Sequence, residues 1–461
     1  MDDDLHELAV EAANFLNDTD GPILLFSHYD CDGIASAIIA HQMLERAGKE
    51  FEHVFLDELT EAKLKEDLFD REQPVVLFTD IGSGQLETVR DVINDRQIAV
   101  LDHHEPQDEG DELAAHVNPH LVGIDGGEQI SGAGVTYLVA EAMDENNIDL
   151  LPYALIGATG DIQTDDDTYL GLNQEFVDKA IEHDLIEVKK GLKIFGRQGK
   201  KLTTALARTT DPYLQGITNN ESGAVQFLRS IGLELKDDGD WRSLADISFE
   251  EEKQIVHGLI TRGYGDIEDL LGDVYILDNG WEIREFASLL NACGRLERPE
   301  DGLKICLERD FDLARTVKQT YGRKIGRYLS FVEDNVDNSE VVKDIGPGTL
   351  IDAGSKIHAN MIGTVATICI KSDILSGPVV MGLAEKEEDH LKISARATDE
   401  VIGDDFAVNS FMEDVCAEVG GEGGGHQAAA GGKIPRENRE RFINVVEERL
   451  TESVQTGETI L

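Results

Sequence analysis

The chain has 461 residues, 92 acidic and 41 basic, for a formal net charge of −51. This length supports roughly two or three domains with cores of their own, and no run of about 18 apolar residues offers a transmembrane helix. The opening MDDDLHELAV lacks the basic and apolar regions of a signal peptide, so a cytoplasmic location with no membrane partner is expected.

Five dispersed cysteines without a CxxC pair exclude a disulfide framework and a zinc knuckle. The acids run along the whole chain rather than gathering in a tail, and lysine is scarce. An acidic surface for basic partners and adaptation to a cytoplasm of molar salt both fit this pattern; the halophilic reading is preferred. At about 1 M salt the Debye length is roughly 3 Å, so repulsion of nucleic acid nearly vanishes, and so does affinity from counterion release.

In chain order, PILLFSH (22–28) reads as a buried strand, DCDG as a turn, and IASAIIAHQMLERAG as a helix closed by Gly48. PVVLFTD (74–80) is a second strand, residues 85–93 have helical spacing, and IAVLDHH (98–104) is a third strand. Strands alternating with helices predict a parallel α/β sheet, with ligands beyond the carboxyl ends of its strands. SGAGVTYLVAEAMDEN (131–146) predicts a helix, and an apolar segment follows to Asp161. Residues 190–285 look mostly helical and irregular, and 285–335 helical again. From about 345 the chain reads as strand-rich (TVATICIKS, PVVMGLAEK, LKISARAT), then glycine-rich, then helical at 437–452. The expected division is a catalytic domain at 1–190, a mostly helical insertion or linker at 191–340, and a smaller α/β domain at 341–461.

Four motifs carry the candidate chemistry: His28-Tyr-Asp30-Cys-Asp32-Gly33, Thr79-Asp80, Asp102-His103-His104, and Asp161 within ATGDIQ. Carboxylates and imidazoles without thiolates suit Mn²⁺ or Mg²⁺ rather than structural zinc. Asp80, alone at its strand end, suits a carboxylate bridging two ions. Each aspartate alone is an ordinary cap or turn former. A DHH triplet ending a buried strand is not ordinary core filler.

The ordered set HxDxDG, Asp, DHH and GD resembles the DHH phosphoesterase family. ISGAGVTYL (130–138), LLNACGRLERPEDGL (289–303) and GGEGGGHQAAAGGKIP (420–435) are similar to segments of its RecJ-like members and of their DHH-associated C-terminal domain. The resemblance implies a metal-ligand set of His28, Asp30, Asp32, Asp80, His103 and Asp161. Two divalent ions are expected, Mn²⁺ preferred over Mg²⁺, and such sites activate water for in-line attack on phosphorus. Asp102 is implied to orient a neighbouring imidazole, and His104 to face the scissile phosphate. Arg295, Ser394, Arg396, Gly424, Gly425 and His426 are implied to bind phosphate, with the glycines forming an anion-binding nest and the active site in the cleft between the two α/β domains. For Arg295, an ion pair with Glu297 or Glu300 is the competing reading.

One residue in five is acidic, yet 188–208 holds Lys189, Lys190, Lys193, Arg197, Lys200, Lys201 and Arg208 with no acid. A second window, 313–328, holds Arg315, Lys318, Arg323, Lys324 and Arg327 beside two tyrosines. Cations interleaved with aromatics suit a single-strand path; an internal ion-pair surface or a protein partner is the alternative. The expected activity is stepwise hydrolysis of single-stranded DNA or RNA to nucleoside 5′-monophosphates. Hydrolysis of oligoribonucleotides or cyclic dinucleotides is a rival, as is a replisome scaffold. Replication proteins of the GINS or MCM type are further expected partners.

Folding should require molar KCl, because unscreened carboxylate repulsion opposes the compact state. The urea midpoint is expected to rise steeply between about 0.2 and 2 M KCl; a flat dependence would restore the basic-partner reading.

Overall fold

The structure is a computed structural model that describes residues 3–455 apart from 94, 111, 166–167, 210–213, 265–266, 373, 388, 399–400 and 403–405. Its chain divides into two compact units, Met1–Val317 and Lys318–Leu461.

Unit 1 opens with helix α1 (Asp3–Asp18) and a five-stranded parallel sheet: β1 (Ile23–His28), β2 (Phe51–Leu56), β3 (Val75–Thr79), β4 (Gln97–Leu101) and β5 (Ala115–Val117). The spatial order is β2-β1-β3-β4-β5, so the order reverses where β1 meets β3. The predicted strands are the sheet's interior, where β1 and β3 are apolar along their length because helices cover both faces. β2 and β5 carry no apolar run to announce them. β2 is a half-exposed edge strand carrying Glu52 and His53, and β5 has three residues.

Helices α2 (Cys31–Arg46), α3 (Glu61–Leu68), α4 (Leu86–Val92), α5 (Gly132–Met143) and α6 (Leu151–Gly160) follow within this unit. α2 begins directly after β1, with Asp30 as its N-cap accepting the Gly33 amide at 3.0 Å. Gly33 is obligatory in this turn, since a Cβ there would lie 2.2 Å from the His28 carbonyl oxygen.

The middle of the chain is more than a linker. Leu192, Leu206, Phe227, Leu228, Ile255 and Leu259 share a hydrophobic core of their own. An antiparallel pair, Ile186–Leu192 with Leu271–Leu277, closes its base. The helix Ile283–Arg295, which carries NACGR, contacts α2 and α6. Its Asn291 side chain accepts the Cys31 amide at 3.3 Å, and Gly294 admits the Tyr29 carbonyl where a Cβ would lie at 2.1 Å. This motif therefore buttresses the turn after β1.

Unit 2 carries a six-stranded mixed sheet. One expectation fails here: TVATICIKS is not a strand but lies within the helix Ala359–Lys371. Its β-branched residues favour a strand locally. The buried positions Met361, Ile362, Val365, Ala366 and Cys369 nevertheless repeat with helical spacing, and His358 caps the helix by accepting the Asn360 amide. Burial of that stripe overrides the local preference. GTLIDAG (348–354) supplies a strand instead.

Replacing Gly294 with alanine drives a methyl group into the Tyr29 carbonyl. A loss of about 1–3 kcal/mol in stability is expected, read from the urea midpoint.

Candidate metal centre

The carboxyl ends of β1, β3 and β4 deliver His28, Asp80, and Asp102 to His104, and the C-terminal end of α6 delivers Asp161. Among the described residues, three groups have ligand atoms within 4.8 Å of one another: Asp80/Asp102/His103/His104, His28/Asp30/Asp80, and Asp32/His103/Asp161. Asp80 and His103 each belong to two groups, so all eight side chains form one connected cluster.

Asp80 sits in the left-handed region at φ 58°, a conformation that costs a non-glycine residue on the order of 1–3 kcal/mol. Its amide donates to the Leu101 carbonyl at 2.9 Å, which ties it to the end of β4. Gly132 leaves room for its carboxylate; a Cβ there would stand 2.5 Å from Asp80 Oδ1.

Asp32 is fully buried, and α5 holds it. Its two oxygens accept the Gly132 amide at 2.6 Å and the Ala133 amide at 3.0 Å, at the positive end of the helix. Ser131 caps that helix by accepting the Gly134 amide. The SGAG segment is thus a carboxylate holder, a role the sequence reading did not assign. A small-residue helix start after an apolar residue was its one visible signal.

Asp102 faces a different way. One oxygen accepts the Ser83 amide at 2.8 Å; the other accepts the His103 amide at 2.8 Å and pairs with His104 Nδ1 at 2.8 Å. These bonds fix the His104 ring, whose side chain is 54% exposed. Asn118 adds a bond to the His104 carbonyl at 2.9 Å and one to Ser83 Oγ at 2.9 Å.

His103 decides what the cluster can hold. Its Nδ1 lies 2.7 Å from the Gly126 carbonyl, which can only accept, so Nδ1 carries a proton. In a neutral ring, Nε2 then presents a lone pair. That atom is buried without a hydrogen-bond partner, yet it stands 3.3 Å from Asp80 Oδ1, 3.3 Å from Asp161 Oδ2 and 3.7 Å from Asp32 Oδ2. Asp80 Oδ1 and His28 Nδ1 are buried without a hydrogen bond as well, His28 Nδ1 standing 3.1 Å from Asp30 Oδ2 and 3.6 Å from Asp80 Oδ2. An unprotonated Nε2 among carboxylates leaves a place for a divalent cation, and carboxylate oxygens with imidazole nitrogens can supply its donors. A carbonyl behind the ligating imidazole is the usual outer support of such a site.

The protonation behaviour of these groups reports the same charge imbalance. Burial, with Asp80 and Asp161 nearby, pushes the Asp32 carboxyl well up. Burial raises Asp161 to about 7, with His103 opposing. For His28 and His103 burial acts downward, but neighbouring carboxylates outweigh it and raise both rings. Burial would raise Asp102, yet the His104 and His103 charges and the Ser83 amide hold it low; His28 does the same for Asp30.

The remaining predicted residues lie elsewhere. Arg295 ends the NACGR helix and is half-buried. Ser394 and Arg396 share one face of the strand His390–Ala397, as their alternation implies. Both approach Gly363, and Arg396 Nε donates to Thr367 Oγ1 at 2.9 Å. The glycine-rich segment is no nest: Glu422–Gly425 is an edge strand paired with Ala429–Pro435, and exposed His426 sits in the tight turn joining them. Gly423 is needed for packing, because a Cβ would meet the Met412 carbonyl at 2.3 Å.

The first basic window is partly structural. Arg197 is 9% exposed and donates to Glu252 Oε1 at 2.7 Å, so it is withdrawn from any strand path; a buried partner explains its conspicuous charge. Lys189 and Lys190 pair with Glu187 and Asp273. Lys200 and Lys201 lie over the rings of Phe195 and Trp241, and Lys193 is half-buried. In the second window, Arg315 pairs with Asp312, while Lys318, Arg323 and Lys324 follow along the helix Phe311–Glu333.

A parallel sheet bearing a carboxylate–imidazole cluster at its strand ends is an arrangement that can hold divalent ions. The chain has the domain organisation of the DHH family: it matches the DHH family N-terminal domain at 22–160, the DHH-CID domain at 194–266 and the DHHA1 domain at 339–452. It is 28% identical over 445 residues to an uncharacterized protein of Methanocaldococcus jannaschii, covering 94% of each chain. Its fold is similar to RecJ of Thermus thermophilus in complex with Mn²⁺ (16% identity, TM-score 0.59, 97% of this chain and 54% of that one). The chain thus spans about half the length of that RecJ. A manganese-bound exonuclease RecJ (17%, 0.55, 96% and 94%) and CDC45 from Entamoeba histolytica (13%, 0.62, 96% and 98%) share the fold. No helix among the described residues is long and apolar enough to cross a membrane.

With metal removed, the raised carboxyls make the folded state bind more protons than the unfolded chain between the ordinary value of 3.8 and about 7. Stability from this cluster therefore falls as pH rises through that window, and the raised imidazoles extend the loss upward. Asp30 and Asp102 titrate below it, with opposite sign. Mn²⁺ should accordingly raise the melting midpoint more at pH 8 than at pH 5, by scanning calorimetry in molar KCl. An equal or reversed increment would mean the ion binds elsewhere.

Proposed function

We propose that the chain is a divalent-metal-dependent exonuclease of RecJ type, acting on single-stranded DNA or RNA and releasing nucleoside 5′-monophosphates. The observation that carries this reading is His103 Nε2, buried without a partner and facing Asp80 and Asp161. His28, Asp30, Asp32, Asp80, His103 and Asp161 would hold the ions, Mn²⁺ before Mg²⁺, with Asp80 bridging two of them. Bound ions would supply charge neutralisation and an activated water. His104, fixed by Asp102, would contact the phosphate, and its exposed ring supports that role.

Phosphate contacts from Ser394, Arg396, Gly424, Gly425, His426 and Arg295 belong to the same proposal. So does a strand path through Lys200 and Lys201, each lying over an aromatic ring. The likeness to CDC45 favours a second reading, a replication scaffold; the convergent ligand set is what a scaffold has no need of. Association with GINS- or MCM-type proteins is compatible with either, and the acidic surface supports work in a saline cytoplasm.

Purified protein in molar KCl with Mn²⁺, offered end-labelled DNA, RNA and dinucleotides, tests the proposal. Mononucleotide release that chelator abolishes and that a folded Asp80→Ala protein lacks by at least about a thousandfold is expected. Near-normal turnover from Asp80→Ala would sink the two-metal reading, and hydrolysis of dinucleotides alone would favour the oligoribonuclease alternative.

A further inference from the structure

The α6 helix ends in a pair of reverse hydrogen bonds: the Ile162 amide donates to the Thr159 carbonyl at 3.3 Å and the Gln163 amide to Ala158 at 2.9 Å. This closure places one residue in the left-handed region, a position that selects glycine or asparagine. Here it is Ile162, at φ 60°. A β-branched residue is rarely found there, because its branched Cβ crowds the backbone.

Packing does not account for the choice, since the Ile162 side chain is 78% exposed. Gln163, 2% exposed, anchors the strained residue from behind. Its side-chain amide donates to the Gly126 and Ile130 carbonyls at 2.9 and 3.3 Å and accepts from Asn173 at 2.8 Å. Gly126 is the carbonyl that also orients His103. Ile162 is thus an apolar side chain exposed to solvent, one residue from Asp161 of the carboxylate cluster.

We propose that Ile162 is the nucleoside-contacting residue of the centre: its side chain packs against the base or sugar of the nucleotide whose phosphate the cluster binds. This rests on the phosphodiesterase reading. An anionic phosphate belongs at the ions, and the apolar faces of its nucleoside need an apolar neighbour beside them. Molar salt screens ionic contacts but leaves an apolar one intact, and such a contact grips any base without discriminating among them.

Calorimetric titration in molar KCl with Mn²⁺ tests the contact, using thymidine 5′-monophosphate and inorganic phosphate as probes. The wild-type protein should bind the nucleotide more tightly than phosphate. Ile162→Gly and Ile162→Asn, both suited to the left-handed backbone, should weaken the nucleotide roughly five- to tenfold and leave phosphate unchanged. Ile162→Val should retain most of the affinity, and Ile162→Gly should unfold no earlier than the wild type. Unchanged nucleotide affinity overturns the proposal. So does a parallel loss of phosphate affinity, which would mean that Ile162 acts through Asp161. The titration needs no turnover: a protein that shows this pattern but hydrolyses no phosphodiester would fail the functional reading while keeping the contact.

Discussion

Negative charge concentrated in a small, largely buried volume is the constraint around which unit 1 is built. Asp30, Asp32, Asp80 and Asp161 crowd two imidazoles, and self-repulsion of this kind would disperse the cluster unless the scaffold opposed it. The opposition is distributed. The start of α5 takes Asp32, the Gly33 amide takes Asp30, and the Leu101 carbonyl holds the Asp80 backbone in place. Each restraint fixes a carboxylate or the backbone that carries it without cancelling its charge, which leaves room for cations among them.

Segments remote in sequence therefore serve one purpose. Glycines at 33, 132, 157 and 294 are absences of side chain that let backbone or carboxylate approach. At Gly157 a Cβ would stand 2.1 Å from Asp32 Oδ1, so α6 can pass behind the cluster only with glycine there. Substrate chemistry would then act on a site whose ligands are already oriented, with little reorganisation left to perform.

Much of this was legible in the sequence because the interior strands β1, β3 and β4 are long apolar runs that end on their functional residues. The signals that failed were those in which a local preference competes with a distant partner. The β-branched run at 364–370 reads as a strand until its stripe is seen packed on a sheet. Arg197 reads as surface charge because Glu252 lies 55 residues away. The glycines at 424 and 425 suggest an anion-binding nest because nothing nearby reveals the strand that pairs with them. Ile162 is invisible in another sense: an isoleucine after an aspartate is unremarkable until its backbone angle is known.

The six-stranded sheet of unit 2 is bounded by two short strands, the three residues Val342–Asp344 and the four residues Glu422–Gly425. An exposed sheet margin is a template on which another chain can add itself, and proteins commonly discourage this with like charge. In strong salt that defence reaches only a few ångströms. Brevity still works there, because a margin of three or four residues gives an incoming strand too few ladder bonds to offset the entropy of ordering it. These two truncated strands therefore limit strand addition by geometry, a defence that does not depend on charge.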